Sequence, residues 1–338
     1  MKISYRVLGL AALVMLLLAG CGESSEPSAS QAAVETLPTP QGRILTANQA
    51  ANTVSIIDVA TDTAYGTVGT GLQPHHVVGT PDGKEFWVSL YGENRVQVFD
   101  SASLKEIASV DVGASNDDLI FDPDGKRLYV SLGKNDAVAV VDVPGRKLLQ
   151  TVTVGKSPHG VRVTPDGKSL VVTNTADNTV SVLSLQPEAK VQSTIKTGAN
   201  PFEVVIAKDS NTAYVSNFLG DSVAVVDLAA GKTTAYIKSG KQPAMIALAE
   251  GNTGSKLWVA NTGSGEVWLI DAGTRKLVTR IPAGKGTHGT ALTPSGKLYV
   301  TNTNDNTVTV IDQATEKVLT TIPVGSNPNG LTWLAPAK

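Results

Sequence analysis

Past residue 41 the chain runs in segments of about six residues. Apolar side chains in them alternate with polar ones or stand in short unbroken blocks, and no segment keeps a helical period. The stretch 159–198 shows the unit. His159–Thr164 predicts a strand, Pro165-Asp166-Gly167-Lys168 a tight turn and Ser169–Asn174 a second strand. A turn over Thr175–Asn178 leads to a third strand, Thr179–Ser184, with Val at alternate places, and a fourth covers Val191–Thr197 and stops at Gly198. In the first turn Pro presets φ and Gly accepts the positive φ that returns the chain. Two earlier segments read differently. Val7–Leu18 is an unbroken apolar run behind Lys2 and Arg6, and residues 22–41 carry little apolar bulk and no period.

The unit recurs. A Gly, two variable residues and usually Pro begin at Gly71, Gly113, Gly155, Gly198, Gly240, Gly284 and Gly325, spaced by 41 to 44 residues. An alternating run ending in Asp recurs at Asp58, Asp100, Asp142, Asp227, Asp271 and Asp312, with Ser184 in the remaining place. Seven such units fill 42–335 and leave no length for a second domain. Four strands per unit, seven times over, predicts an all-β fold: a seven-bladed β-propeller of four-stranded antiparallel blades. One blade cannot cover its own two faces, whereas a closed ring covers them all. Residues 42–70 supply three strands with no first strand before them, and 326–335 supply a first strand with nothing after it. The two ends are therefore expected to share one blade and close the ring.

Tyr299-Val300-Thr301-Asn302 is followed by Asp305-Asn306-Thr307-Val308, and Val172-Thr173-Asn174 by Asp177-Asn178-Thr179-Val180. With Tyr214-Val215-Ser216-Asn217 and the turns Thr80–Lys84 and Thr164–Lys168, these resemble the YVTN-type propeller repeat over all of 42–335. The resemblance implies a YncE-like seven-bladed propeller. That group includes bacterial periplasmic and archaeal surface-layer proteins and shares no single activity. Turns at Lys208–Thr212 and Glu250–Gly254 depart from the pattern. Trp87 and Trp258 replace the repeat's Tyr and, with Trp268, read as packing residues, while Asp82, Asp124 and Asp166 read as caps of their own turns.

The run Val7–Leu18 is too short for a spanning helix, which needs about 20 residues, and fits the apolar region of an export signal. It ends Leu18-Ala19-Gly20-Cys21, which resembles a bacterial lipobox. That resemblance implies cleavage before Cys21 and acylation of it, and two or more acyl chains anchor stably. The expected organisation is a signal peptide at 1–20, a lipidated Cys and flexible tether at 21–41, and the propeller at 42–335. The protein would be lipid-anchored in the bacterial cell envelope, with the membrane as one partner. Gly22, rather than Asp, favours the outer membrane facing the periplasm.

Charge and composition narrow the chemistry. Lys and Arg number 28 against 30 Asp and Glu, a net −2 that becomes −4 once Lys2 and Arg6 are removed. Such a charge gathers no nucleic acid. A single Cys allows neither an internal disulfide nor a Cys-rich zinc site. All four His fall at one repeat position, the pair of residues after the Gly-x-x-Pro element. The pairs are His75-His76, Asp117-Asp118, His159-Gly160, Phe202-Glu203, Ala244-Met245, His288-Gly289 and Asn329-Gly330. They are predicted to ring one mouth of the central channel. His75, His76, Asp117, Asp118, His159, Glu203 and His288 form the candidate ligand set. These residue types bind divalent metals, with Zn, Cu and Ca as the ions to consider.

Two functions remain. The preferred one is a non-enzymatic, monomeric binding module for an envelope protein, a glycan or a small ligand. The rival is a metal-binding protein or metal-dependent hydrolase, lactonase-like, with its site at the channel mouth. No motif names a catalytic residue. The Gly284–Gly289 match to G-x-G-x-x-G precedes no helix, and neither G-x-S-x-G nor H-E-x-x-H occurs. Four His are too few for the copper cluster of nitrous oxide reductase, and d1-haem propellers have eight blades.

Overall fold

Along Ser169–Asn174 every residue but the first is buried, whereas in Lys190–Lys196, two strands further out, only Ile195 is. A four-stranded blade packed between two neighbours imposes this gradient, because its middle strands are covered on both faces and its outer edge meets water. The computed structural model describes residues 42–251 and 254–338. The predicted signal peptide, Cys21 and the tether lie outside the described residues.

The described residues form seven four-stranded antiparallel sheets. Blade one runs outward from the axis through Pro74–Gly79, Glu85–Leu90, Arg95–Asp100 and Glu106–Asp111. Blade three runs through Pro158–Val163, Ser169–Asn174, Thr179–Ser184 and Lys190–Lys196, close to the bounds read from sequence. Blades two, four, five and six begin at Asn116, Pro201, Pro243 and Thr287. The last blade joins both ends of the ring, with Pro328–Leu334 pairing Arg43–Asn48, then Thr53–Asp58 and Thr63–Gly69. Arg43 lies opposite Leu334, and Thr46 opposite Leu331. This is the expected seven-bladed, all-β ring closed by its two termini.

Each interface between blades holds its own apolar cluster. Phe86, Val88 and Leu90 face the closing blade, while Trp87 between them packs against Leu119, Phe121 and Val130 of blade two. Period-2 alternation thus sends one strand into two cores. At the closure, Tyr299 and Val310 of blade six meet Ile44 and Leu331. There the Tyr299 hydroxyl donates to Asp62, and Lys297 Nζ lies 2.7 Å from the same carboxylate.

The repeat's short motif has a positioning role. In each inner strand beginning with Pro the register shifts just after that residue. In blade three Pro158 faces Asn174, yet Val161 faces Val172, which leaves a bulge at His159-Gly160. Thr173 staples this bulge: its Oγ1 accepts the Gly160 N–H at 2.8 Å and donates to the Phe202 carbonyl of blade four at 2.9 Å. Ser89, Ser216 and Thr301 do the same in blades one, four and six. The Asn beside the staple explains the Gly landmark. Buried Asn174 donates to Thr179 and Ser181, and a Cβ on Gly155 would lie 2.5 Å from its Cγ.

The departures are local. In blade four Ser210 takes the positive φ given to Gly elsewhere, and in blade five the first hairpin extends to Gly251 opposite Gly254. Asp82 and Asp166 cap their turns through the Lys84 and Lys168 amides, and Trp87 and Trp258 are fully buried.

Candidate functional site

The stapled bulge aims the two residues of each pair in different directions. The first points to the axis. His75 and His159 meet ring to ring at 5.4 Å, His159 and Phe202 at 3.8 Å, and Phe202 and His288 at 5.5 Å. Blades one and three are not neighbours, nor are four and six, so these rings can touch only across the axis. Phe202 reaches His288 past blade five, where the matching residue is Ala244. One ligand atom from each of His75, Asp117 and His159 lies within 4.8 Å of the others. The aromatic arc continues outward through Tyr91, 5.9 Å from His75, and Phe218, 5.4 Å from Phe202.

Backbone carbonyls fix the tautomers of two imidazoles. His75 Nδ1 stands 3.2 Å from the Asp117 carbonyl oxygen, and His159 Nδ1 stands 3.1 Å from that of Phe202. A carbonyl only accepts, so each Nδ1 carries the hydrogen and each Nε2 keeps its lone pair. Burial above all, with repulsion from neighbouring imidazoles, pulls His75 down to about 4 and His159 and His288 to about 3. All three are neutral at pH 7. Burial, reinforced by the charge of Asp118, pushes the Asp117 carboxyl up to about 7 against the Gly133 amide and Lys134. Over this floor lies a cup of about 260 Å³, lined by Tyr91, Ser115, Asp117, Lys134, His159 and Phe202, with Thr175 and Asn200 among its other walls.

The second residue of each pair turns between the blades, and there His76, Asp118 and Glu203 build a different structure. Asp118 Oδ1 lies 3.0 Å from His76 Nδ1, out of line for a hydrogen bond, and Oδ2 lies 2.6 Å from Arg162. Arg162 in turn stands 3.4 Å from Glu203 Oε2. Burial would raise Asp118, but Arg162, His76 and the Val161 amide outweigh it and hold its carboxyl below the ordinary range. For Glu203 burial prevails over Arg162 and pushes the pKa up to about 8. Small residues make the room: a Cβ on Gly330 would lie 2.0 Å from the His76 ring, and one on Gly160 would lie 2.9 Å from Glu203 Oε1.

The expectation that all seven candidates line the mouth is therefore divided. His75, Asp117, His159 and His288 face the axis, while His76, Asp118 and Glu203 belong to a buried ionic chain between blades. Sequence reasoning passed over Arg162 and the reach of Phe202. Both carry a signal in the repeat. Where blade three has Arg162, the other blades have Val78, Ile120, Val205, Ala247, Ala291 and Thr332; Phe202 is the sole aromatic ring apart from His at its own position.

Comparison with known proteins agrees with this architecture. The periplasmic gluconolactonase of Pseudomonas aeruginosa is 19% identical with a TM-score of 0.70, over 87% of this chain and 99% of that one. The Kuenenia stuttgartiensis hydrazine synthase is 20% identical with a TM-score of 0.70, over 78% and 90%. A functionally unknown protein of Desulfotomaculum acetoxidans is 16% identical with a TM-score of 0.76, over 87% and 99%. At such identities these likenesses concern the fold alone. A search of curated proteins finds no match. The model of the family described as lactonase, 7-bladed beta-propeller, matches residues 29–279. With three-quarters of the sequence under that match and seven blades in the ring, the chain belongs to the lactonase family of seven-bladed β-propellers.

Proposed function

We propose that this protein binds a small, oxygen-rich ligand in the cup at its channel mouth, and that a lactone is the ligand on which it acts. The observation that carries the reading is the cup itself. It joins an aromatic floor, Phe202, and an aromatic wall, Tyr91, to the polar side chains of Ser115, Asp117, Lys134 and His159 in about 260 Å³. A sugar-sized ring offers both an apolar face and many hydroxyls, and such a cup matches both. Family membership and the gluconolactonase likeness support a cyclic ester as the ligand class. His159, neutral, and Asp117 would hold and orient water against the ester carbonyl, while Lys134 on the rim draws the developing carboxylate. Within the family we assign the chain to the YVTN-type, YncE-like members, on its repeat motifs. We place it as a monomer in the bacterial envelope, held by lipid on Cys21, on the strength of Leu18-Ala19-Gly20-Cys21.

The test is hydrolysis of glucono-δ-lactone followed by pH-stat, with binding of gluconate followed by calorimetry. Turnover above the spontaneous rate, lost by roughly 100-fold in His159→Ala, is expected. Neither turnover nor binding in the wild type would refute the reading. A second reading, docking of an envelope protein or glycan, is favoured by Leu72 and Leu219, 56% and 66% exposed on loops at this same end. Gluconate-insensitive pull-down of one envelope partner, abolished by Leu219→Asp, would favour it.

A further inference from the structure

We propose that His75, Asp117 and His159 bind one divalent first-row transition ion, zinc foremost, at the channel mouth. The inference deepens the reading that ligands bind at this mouth, and it names an ion as part of that site. Three observations converge on it. The donors come from three successive blades, yet one ligand atom of each lies within 4.8 Å of the other two. Ligands around a tetrahedral zinc at ~2.1 Å stand about 3.4 Å apart, so each side chain needs to shift by about an ångström.

The second observation is the hydrogen bonding behind the imidazoles. A metal-bound His commonly donates its other ring N–H to a carbonyl or carboxylate, which fixes the ring and raises the basicity of the free nitrogen. His75 and His159 both do so, to the carbonyls of Asp117 and Phe202. The acceptor for His75 is the backbone of the second ligand, so the ring of one donor is registered to the position of another. The staple hydroxyls of Ser89 and Thr173 donate to those same two carbonyls, at 2.7 and 2.9 Å, and hold them in place.

The third observation is charge. Asp118 has Arg162 as counter-ion, whereas buried Asp117 has no ion pair among the described residues. A cation between the two imidazoles would supply one. The donor set also selects among ions. Two imidazoles and one carboxylate suit zinc or a neighbouring transition ion, while calcium takes oxygen donors throughout. His288 is left out of the set, because the Phe202 ring lies against both it and His159. Asp117 and His159 also line the cup, so a molecule held there reaches the ion, and in protein that carries zinc the ion's open position would hold the water in place of their lone pairs.

The experiment uses the purified protein stripped of metal and titrated calorimetrically with Zn²⁺. Co²⁺ absorption serves as a second readout that needs no turnover. One ion per chain is expected, with intense visible cobalt bands of low coordination. Asp117→Asn, nearly isosteric, and His159→Ala should each weaken zinc by roughly 100-fold. Melting of the metal-free variants separates lost ligation from lost folding. His288→Asn should leave zinc affinity within about threefold. No stoichiometric ion, or undiminished affinity in both ligand variants, overturns the site. The lactone reading fails separately: zinc binding without lactone turnover removes that reading alone, and lactone turnover in protein that takes up no zinc removes this one alone.

Discussion

His288 faces the axis with Nδ1 buried and unpartnered among the described residues, and burial with the charges of His75 and His76 pulls its pKa to about 3. In the unfolded chain it would titrate near 6.5. Between those values the unfolded state binds a proton that the folded state refuses, so stability is full above pH 6.5 and declines as pH falls toward 3. By pH 5 the loss is at most about 2 kcal/mol for this residue, and His75 and His159 act in the same direction. Calorimetric melting of metal-free protein should therefore show a lower Tm at pH 5 than at pH 7, with a smaller drop in His288→Phe. Equal drops in the two proteins would mean that His288 titrates freely. The position of all four imidazoles was legible, because the repeat gathers them at one place. Which member of each pair faces the axis was not. That is decided by a one-residue bulge and by the Ser or Thr hydroxyl on the neighbouring strand, neither of which changes the local apolar pattern.

Strands are the level at which the sequence was most readable. Ser169–Asn174 and Thr179–Ser184 were legible to the residue, since alternation and turn chemistry act locally. The ionic chain through Arg162 was not, because it joins blades one to four, and no local signal announces which strands will become neighbours. The closing strand was legible by bookkeeping alone: one end lacked a strand that the other possessed. Deleting 326–338 would bare the inner edge of Arg43–Asn48 and remove Leu334 and Leu331 from two separate cores. Each buried Leu is worth about 2–5 kcal/mol, and an uncovered edge strand pairs with other chains. The truncated protein should melt about 10 °C lower or more and should aggregate on size-exclusion chromatography. A monomer with unchanged Tm would contradict closure by that strand.

For the molecule as a whole, seven structurally equal blades carry unequal chemistry. The proposed metal ligands stand on blades one to three, and Phe202 on blade four closes the arc, so a ligand of the cup would be held off the axis. The proposed place in the envelope rests on Cys21. Cys21→Ser should abolish labelling by radioactive palmitate and leave the precursor uncut, and a labelled variant would end the lipoprotein proposal. Pairing of Arg43 with Leu334 has a consequence for how such a chain is delivered. The strand that completes the first-made blade is the last of the described strands to be synthesised. Six blades can form as they emerge, but the seventh waits for Pro328–Leu334. Until then the nascent protein is an open arc with an unpaired edge and two half-covered cores, so the period most exposed to misassembly lasts at least as long as the making of all the blades in between.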